Sequence, residues 1–227
     1  MNKILLWLLV FLFFNSCGPK LPRYTDTAFK QYLIDTNKMD KDAAINDSYY
    51  DKYYLKYLYD TEKKHILGNP YLKANQVYTY LKSNGNSYIF SVFADDGQLY
   101  TGTYFVDNEY LSAPENGIIK IKQHLKLSSL GDFEVTDSII EISRNIKTAF
   151  REWDENDTGY VKNDTIHLTA SYIAKRYGYE KKWWAKKHKT HFIHAYQPKL
   201  KAGKIKDPQF GYDVFIVTGE FNAYTRN

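Results

Sequence analysis

Residues 77–106 read VYTYLKSNGNSYIFSVFADDGQLYTGTYFV. Three runs rich in β-branched and aromatic residues are separated by the tripeptides NGN (84–86) and DDG (95–97). These residue types favour strands, whereas glycine, asparagine and aspartate tolerate the positive φ of tight hairpin turns. The stretch therefore predicts consecutive β-hairpins, with strands at 77–81, 87–93 and 98–106.

Strand-like runs continue at similar spacing toward the C-terminus, at residues 117–122, 133–143, 148–153, 159–162, 165–172 and 212–221. The polar residues Asp154–Gly159 are predicted as a loop after one of these runs. Short, regularly spaced strands favour an antiparallel meander that closes into a barrel or a sandwich. We predict a mainly β (α+β) fold, with an N-terminal helical segment followed by a barrel-like antiparallel meander.

The helical segment is expected within residues 24–70, which leaves residues 71–227 for the β domain. Tyrosines recur here with the spacing of one helix face, at Tyr49, Tyr50, Tyr53, Tyr54 and Tyr57. Such a stripe could form an aromatic platform for a sugar. Packing of the helix against the sheet is the favoured interpretation.

Residues 90–168 add a pattern of turns to this strand periodicity. The block contains FADDG (93–97), GIIKI (117–121) and two similar segments, DSIIEIS (137–143) and DTIHLT (164–169), each opened by an aspartate. In these features the block resembles small lipocalin-like lipoproteins of bacterial envelopes. The resemblance implies a barrel-like body in an envelope protein.

The N-terminus has the pattern of a signal peptide. Every residue from Ile4 to Phe14 is apolar, and Lys3 is the one charged residue before Cys17. Eleven residues form a helix of about 16 Å, about half the thickness of a bilayer core. This length suits the apolar region of a signal peptide better than a transmembrane span.

Cys17 is the only cysteine in the chain and follows Ser16 directly. This arrangement resembles a bacterial lipoprotein signal, which implies removal of residues 1–16 and acylation of Cys17. Residues 17–23 would then form a lipidated tether to the membrane. Gly18, in place of an aspartate that such lipoproteins use for inner-membrane retention, favours the outer membrane.

The composition is that of an ordinary globular protein, with 44% hydrophobic and 25% charged residues. It excludes a disordered tail, a collagen-like fibre and a polytopic membrane protein. A single cysteine excludes an intramolecular disulfide and a cysteine-based zinc site.

Positive charge is concentrated in residues 171–206, which hold eleven Lys and Arg against one acid, Glu180. We predict a basic hairpin there. Bases interleaved with aromatics suit an anionic lipid surface or an anionic glycan, and the envelope location argues against nucleic acid. A solvated hairpin whose lysines protect an exposed edge is the alternative. The candidate anion-binding residues are Lys181, Lys182, Trp183, Trp184, Lys186 and Lys187.

Sequence motifs for catalysis are weak. His188, His191 and His194 are spaced by three, and on a strand the first and last share a face while His191 points away. Neither a helix nor a strand brings all three onto one metal ion, so they are weak candidates as ligands. No G-x-S-x-G or phosphate-binding glycine loop is present, and no cofactor is expected.

These observations favour a membrane-anchored envelope lipoprotein that binds a ligand or an envelope component without catalysis. The alternatives are a metal-dependent hydrolase using His188, His191 and His194, and a structural assembly subunit. Thr27, in Asp26-Thr27-Ala28, is also a candidate for O-glycosylation.

The Cys17 prediction has a direct test. In a bacterial host the chain should incorporate labelled palmitate, and globomycin should block its processing, because both depend on a lipidated cysteine. Cys17→Ser should abolish the label. Processing that is insensitive to globomycin, or recovery of the chain in the cytosol with its leader intact, would contradict the prediction.

Overall fold

The computed structural model describes residues 26–149, 152–174 and 186–223. The described residues form two helices and eleven strands. The helices are α1 (Thr27–Asp35) and α2 (Asp47–Leu67). The strands are β1 (Val77–Leu81), β2 (Ser87–Phe93), β3 (Gln98–Phe105), β4 (Ile118–Lys120), β5 (Leu125–Thr136), β6 (Ile139–Lys147), β7 (Glu152–Lys162), β8 (Thr165–Ala174), β9 (His188–Tyr196), β10 (Leu200–Lys206) and β11 (Asp213–Asn222).

The chain divides into two compact units after Asp60, inside α2. In the first unit, Asp26 caps α1 by accepting a hydrogen bond from the backbone N–H of Phe29. Phe29 is fully buried, and its ring centroid lies 4.9 Å from that of Tyr50 and 5.2 Å from that of Tyr54. The tyrosine stripe therefore packs with α1 in a small core.

The second unit is built around a closed antiparallel barrel of eight strands, which confirms the mainly β prediction. Around the ring each strand pairs with the next, in the order β1-β2-β3-β5-β6-β7-β8-β9, and β9 pairs again with β1. Strands β10 and β11 extend from the first half of β5, and β4 pairs with β11. Closure leaves each of the eight barrel strands with a neighbour on both sides.

The hairpin turns contain residues with positive φ, as the sequence predicts. Gly97 has φ +79°, and Asn163 and Asp164 have φ values of 50° and 58° in the turn between β7 and β8. Asp137, at φ 51°, places a turn inside the run predicted as one strand at 133–143, which is β5 and β6 in the structure.

Three other boundaries differ from the predictions. Residues 154–159, predicted as a loop, lie within β7 because β7 pairs along them with both β6 and β8. Of the run predicted at 148–153, residues 152 and 153 belong to β7, and residues 150 and 151 lie outside the described residues. Strand β10, with the polar sequence LKAGKIK, lies inside the segment 171–206, for which the sequence predicts a single hairpin.

The second unit contains two apolar cores, one on each side of the barrel wall. The inner core fills one end of the barrel with Tyr78, Phe93, Leu99, Phe133, Val135, Ile140, Ile142, Val161, Ile166 and Leu168, and Ile66 of α2 and Leu72 pack against them. The outer core joins the other face of β1–β3 to β4, β10 and β11, with Phe90, Tyr100, Phe215 and Phe221 among its members.

The end of α2 that belongs to the second unit is held by polar contacts. Lys63 forms an ion pair of 2.8 Å with Asp95, and His65 Nε2 donates to the carbonyl of Val135 at 2.7 Å. Together with buried Ile66, these contacts fix residues 61–67 against the barrel. No helix among the described residues has the length and apolar character needed to cross a bilayer.

The backbones of β7 and β8 approach each other closely at Gly159. A Cβ added there would lie 1.9 Å from the carbonyl oxygen of His167, so the two backbones require glycine. We predict that Gly159→Ala lowers the free energy of unfolding by about 2 kcal/mol or more. Gly203→Ala in β10 is the matched control, since a Cβ there meets nothing within 4 Å. Equal urea midpoints for the two variants would contradict this.

Candidate functional site

The barrel interior contains a cavity of about 490 Å³. Its floor is formed by Phe93, Leu99, Ile142 and Leu168, which also belong to the inner core. All eight barrel strands contribute to its lining. The lining residues are Tyr80, Ile89, Ser91, Phe93, Leu99, Thr101, Thr103, Leu130, Ile142, Arg144, Asp157, Leu168, Ser171, Thr190, Phe192 and His194.

These side chains line the cavity because every second residue of a barrel strand faces inward. Ile89, Ser91 and Phe93 of β2 line the cavity, while Phe90 between them belongs to the outer core. On β9 the same period brings Thr190, Phe192 and His194 inward. The cavity is therefore a direct consequence of strand register.

Apolar and aromatic groups form most of the wall. The ring centroid of Tyr80 lies 5.4 Å from that of Phe192 and 5.3 Å from that of His194, on which it is stacked. With Ile89 and the apolar floor, this wall suits an aliphatic or aromatic ligand body.

One charged pair lies in this wall. The Nη2 atom of Arg144 lies 2.6 Å from Oδ2 of Asp157, which is buried, and 3.7 Å from Oε2 of Glu155. The Nε atom of Arg144 is buried and has no hydrogen-bond partner among the described residues. The Nε–H donor is therefore unused and lies out of reach of solvent.

Hydroxyl groups supply further polar contacts. Ser91 Oγ lies 3.4 Å from Nδ1 of His194, and Thr190 Oγ1 donates to the carbonyl of Leu168 at 3.4 Å. Within the described part of the chain, the hydroxyls of Thr101, Thr103 and Ser171 have no protein partner. The cavity thus combines an apolar floor with available donors and acceptors.

His194 is buried, and desolvation lowers its pKa to about 4. The imidazole is therefore neutral at physiological pH and adds no positive charge to the cavity. A neutral ring stacked on Tyr80 can still donate or accept a hydrogen bond.

The three histidines do not converge. His194 faces the cavity, whereas His191 is on the opposite face of β9 and is exposed. His188 is six residues from His194 along the strand, a separation of about 20 Å. The described residues contain no group of three or more His, Cys, Asp or Glu side chains able to hold a metal ion.

The described lysines of the basic segment, residues 171–206, have different surroundings in the structure. Lys204 pairs with Asp96 and Asp213, and Lys199 pairs with Glu220 at 3.1 Å. Lys186 and Lys187 are exposed, and Nζ of Lys187 lies 5.4 Å from the ring centroid of Tyr172. Lys181, Lys182, Trp183 and Trp184 lie outside the described residues, as does Cys17.

Two further predictions concern the surface, the modification site at Thr27 and a strand edge for assembly. Thr27 is exposed at the first position of α1. Strand β8 pairs with β7 and β9, whereas β9 pairs with β1 only at Ala195 and Tyr196. Among the described strands β10 pairs with β11 alone, so the basic segment retains a free strand edge.

Arg144, Asp157 and the lining hydroxyls are not among the residues predicted from the sequence. The signal was present in β6, where Arg144 follows Ile140 and Ile142 at the same parity and so faces inward. The pairing of Arg144 with Glu155, and of Ile142 with Asp157, becomes evident only from the register of β6 on β7.

Comparison of the chain with protein-family models, curated proteins and solved structures finds no match.

The burial of His194 predicts a pH dependence of stability. Between pH 6.5 and 4 the unfolded chain binds a proton that folded His194 does not, so the free energy of unfolding falls by about 3 kcal/mol as the pH decreases. Urea unfolding across this range should show the decrease in the native protein and lose this component in His194→Gln. Parallel pH profiles for the two proteins would contradict it.

Proposed function

We propose that this chain is a bacterial envelope lipoprotein that binds a small amphiphilic ligand within its barrel, without catalysing a reaction. The observation that carries the proposal is the cavity of about 490 Å³, whose apolar floor lies beneath polar side chains. Binding sites for small molecules commonly have this volume and this mixture of groups.

The location is part of the same proposal. An apolar leader followed by Cys17 supports anchoring through acyl chains, and Gly18 supports the outer membrane. More than one acyl chain gives stable attachment, since each buried methylene contributes about 0.8 kcal/mol. Exposed Lys186 and Lys187 would add attraction to an anionic lipid or glycan surface.

The size of the cavity limits the ligand. A volume of about 490 Å³ equals about sixteen water volumes at about 30 Å³ each. A medium-chain amphiphile such as monodecanoylglycerol or decanoate is comparable in size. Either molecule would place its chain against Phe93, Leu99 and Leu168.

The test uses the processed chain in phosphatidylcholine nanodiscs, with radiolabelled monodecanoylglycerol and decanoate as probes and empty nanodiscs as the blank. We expect saturable binding of at least one probe. Thr101→Phe fills the cavity and should weaken that binding about tenfold or more, a loss of about 1.4 kcal/mol.

Thr218→Phe is the matched control, because Thr218 is exposed on β11 outside the cavity. It should leave binding unchanged. Thr190→Phe provides a second filling variant if Thr101→Phe does not fold. Absence of saturable binding of both probes, or equal loss in the filling and control variants, would overturn the proposed function.

A further inference from the structure

We infer that the cavity selects an uncharged amphiphile with oxygen acceptors over an anionic one. This inference rests on the proposed function and names the class of ligand for the same site. It is carried by the charges and the unused hydrogen-bonding groups of the lining.

The single arginine of the cavity is already neutralised. Its Nη2 atom lies 2.6 Å from Oδ2 of Asp157 and 3.7 Å from Oε2 of Glu155. An entering carboxylate would have to displace Asp157 from Arg144 or approach two carboxylates. Because Asp157 is buried, its displacement would leave an uncompensated charge in a poorly solvated place. The cavity therefore opposes an anionic head group.

No other cavity residue compensates for this repulsion. Burial keeps His194 neutral near physiological pH. Among the described lining residues, the remaining polar groups are hydroxyls, which carry no charge. The local balance is thus one cation against two carboxylates when Glu155 is included.

The unused polar groups favour a neutral oxygen-rich head. Within the described structure, Thr101, Thr103 and Ser171 have lining hydroxyls without protein partners. The lining hydroxyls can donate to an ester or hydroxyl oxygen of the ligand, and this introduces no charge. A glycerol ester supplies several such oxygens beside an apolar chain.

The experiment compares the two nanodisc probes at neutral pH. Native protein should bind monodecanoylglycerol at least about tenfold more tightly than decanoate, which corresponds to about 1.4 kcal/mol. Asp157→Asn removes the charge that opposes an anion and frees Arg144. It should strengthen decanoate binding about tenfold and change monodecanoylglycerol binding less than about threefold.

Asp132→Asn is the matched control, since Asp132 is exposed on the outer side of β5. It should change neither affinity. Equal or tighter binding of decanoate by the native protein would overturn the inference and leave the proposed function intact. The comparison within the native protein decides this even if Asp157→Asn does not fold. Binding of neither probe would overturn both.

Discussion

Closure of the barrel depends on β5, which forms hydrogen bonds with three neighbouring strands. Along one edge its residues pair with β3, while on the other edge its first half pairs with β11 and its second half with β6. Gly131 lies where β5 changes partner, and a Cβ there would lie 2.2 Å from the carbonyl oxygen of Ser143. This one strand therefore closes the ring and begins the outer layer.

The strand register set by this closure determines what the interior can do. Because side chains alternate, each inward position on β6 and β7 contributes to the core or to the cavity. Ile140 and Ile142 fill space at one end, and Arg144, two residues further, faces the cavity with Asp157 nearby. The charged groups of the cavity are thus determined by which alternate residues of β6 and β7 face inward, and not by a local sequence motif.

Much of the fold was predictable from local sequence. Asn84-Gly85-Asn86 and Asp95-Asp96-Gly97 determine their turns because few residues accept positive φ, and β1 and β2 begin and end where predicted. Residues 154–159 were not predictable in the same way, since a polar segment becomes a strand only when both neighbours pair with it. The contact of Arg144 with Asp157 joins two strands, so it required the register.

The outer core has a consequence for how the barrel wall tolerates change. Strand β2 is covered on both faces, by the inner core on one and by Phe215 and Phe221 on the other. On β5, by contrast, Glu134 lies between inward-facing Phe133 and Val135 and is exposed to water. Substitutions by polar residues should accordingly be unevenly distributed around the ring. They should accumulate on the outside of the second half of β5, and few should be accepted on either face of β2.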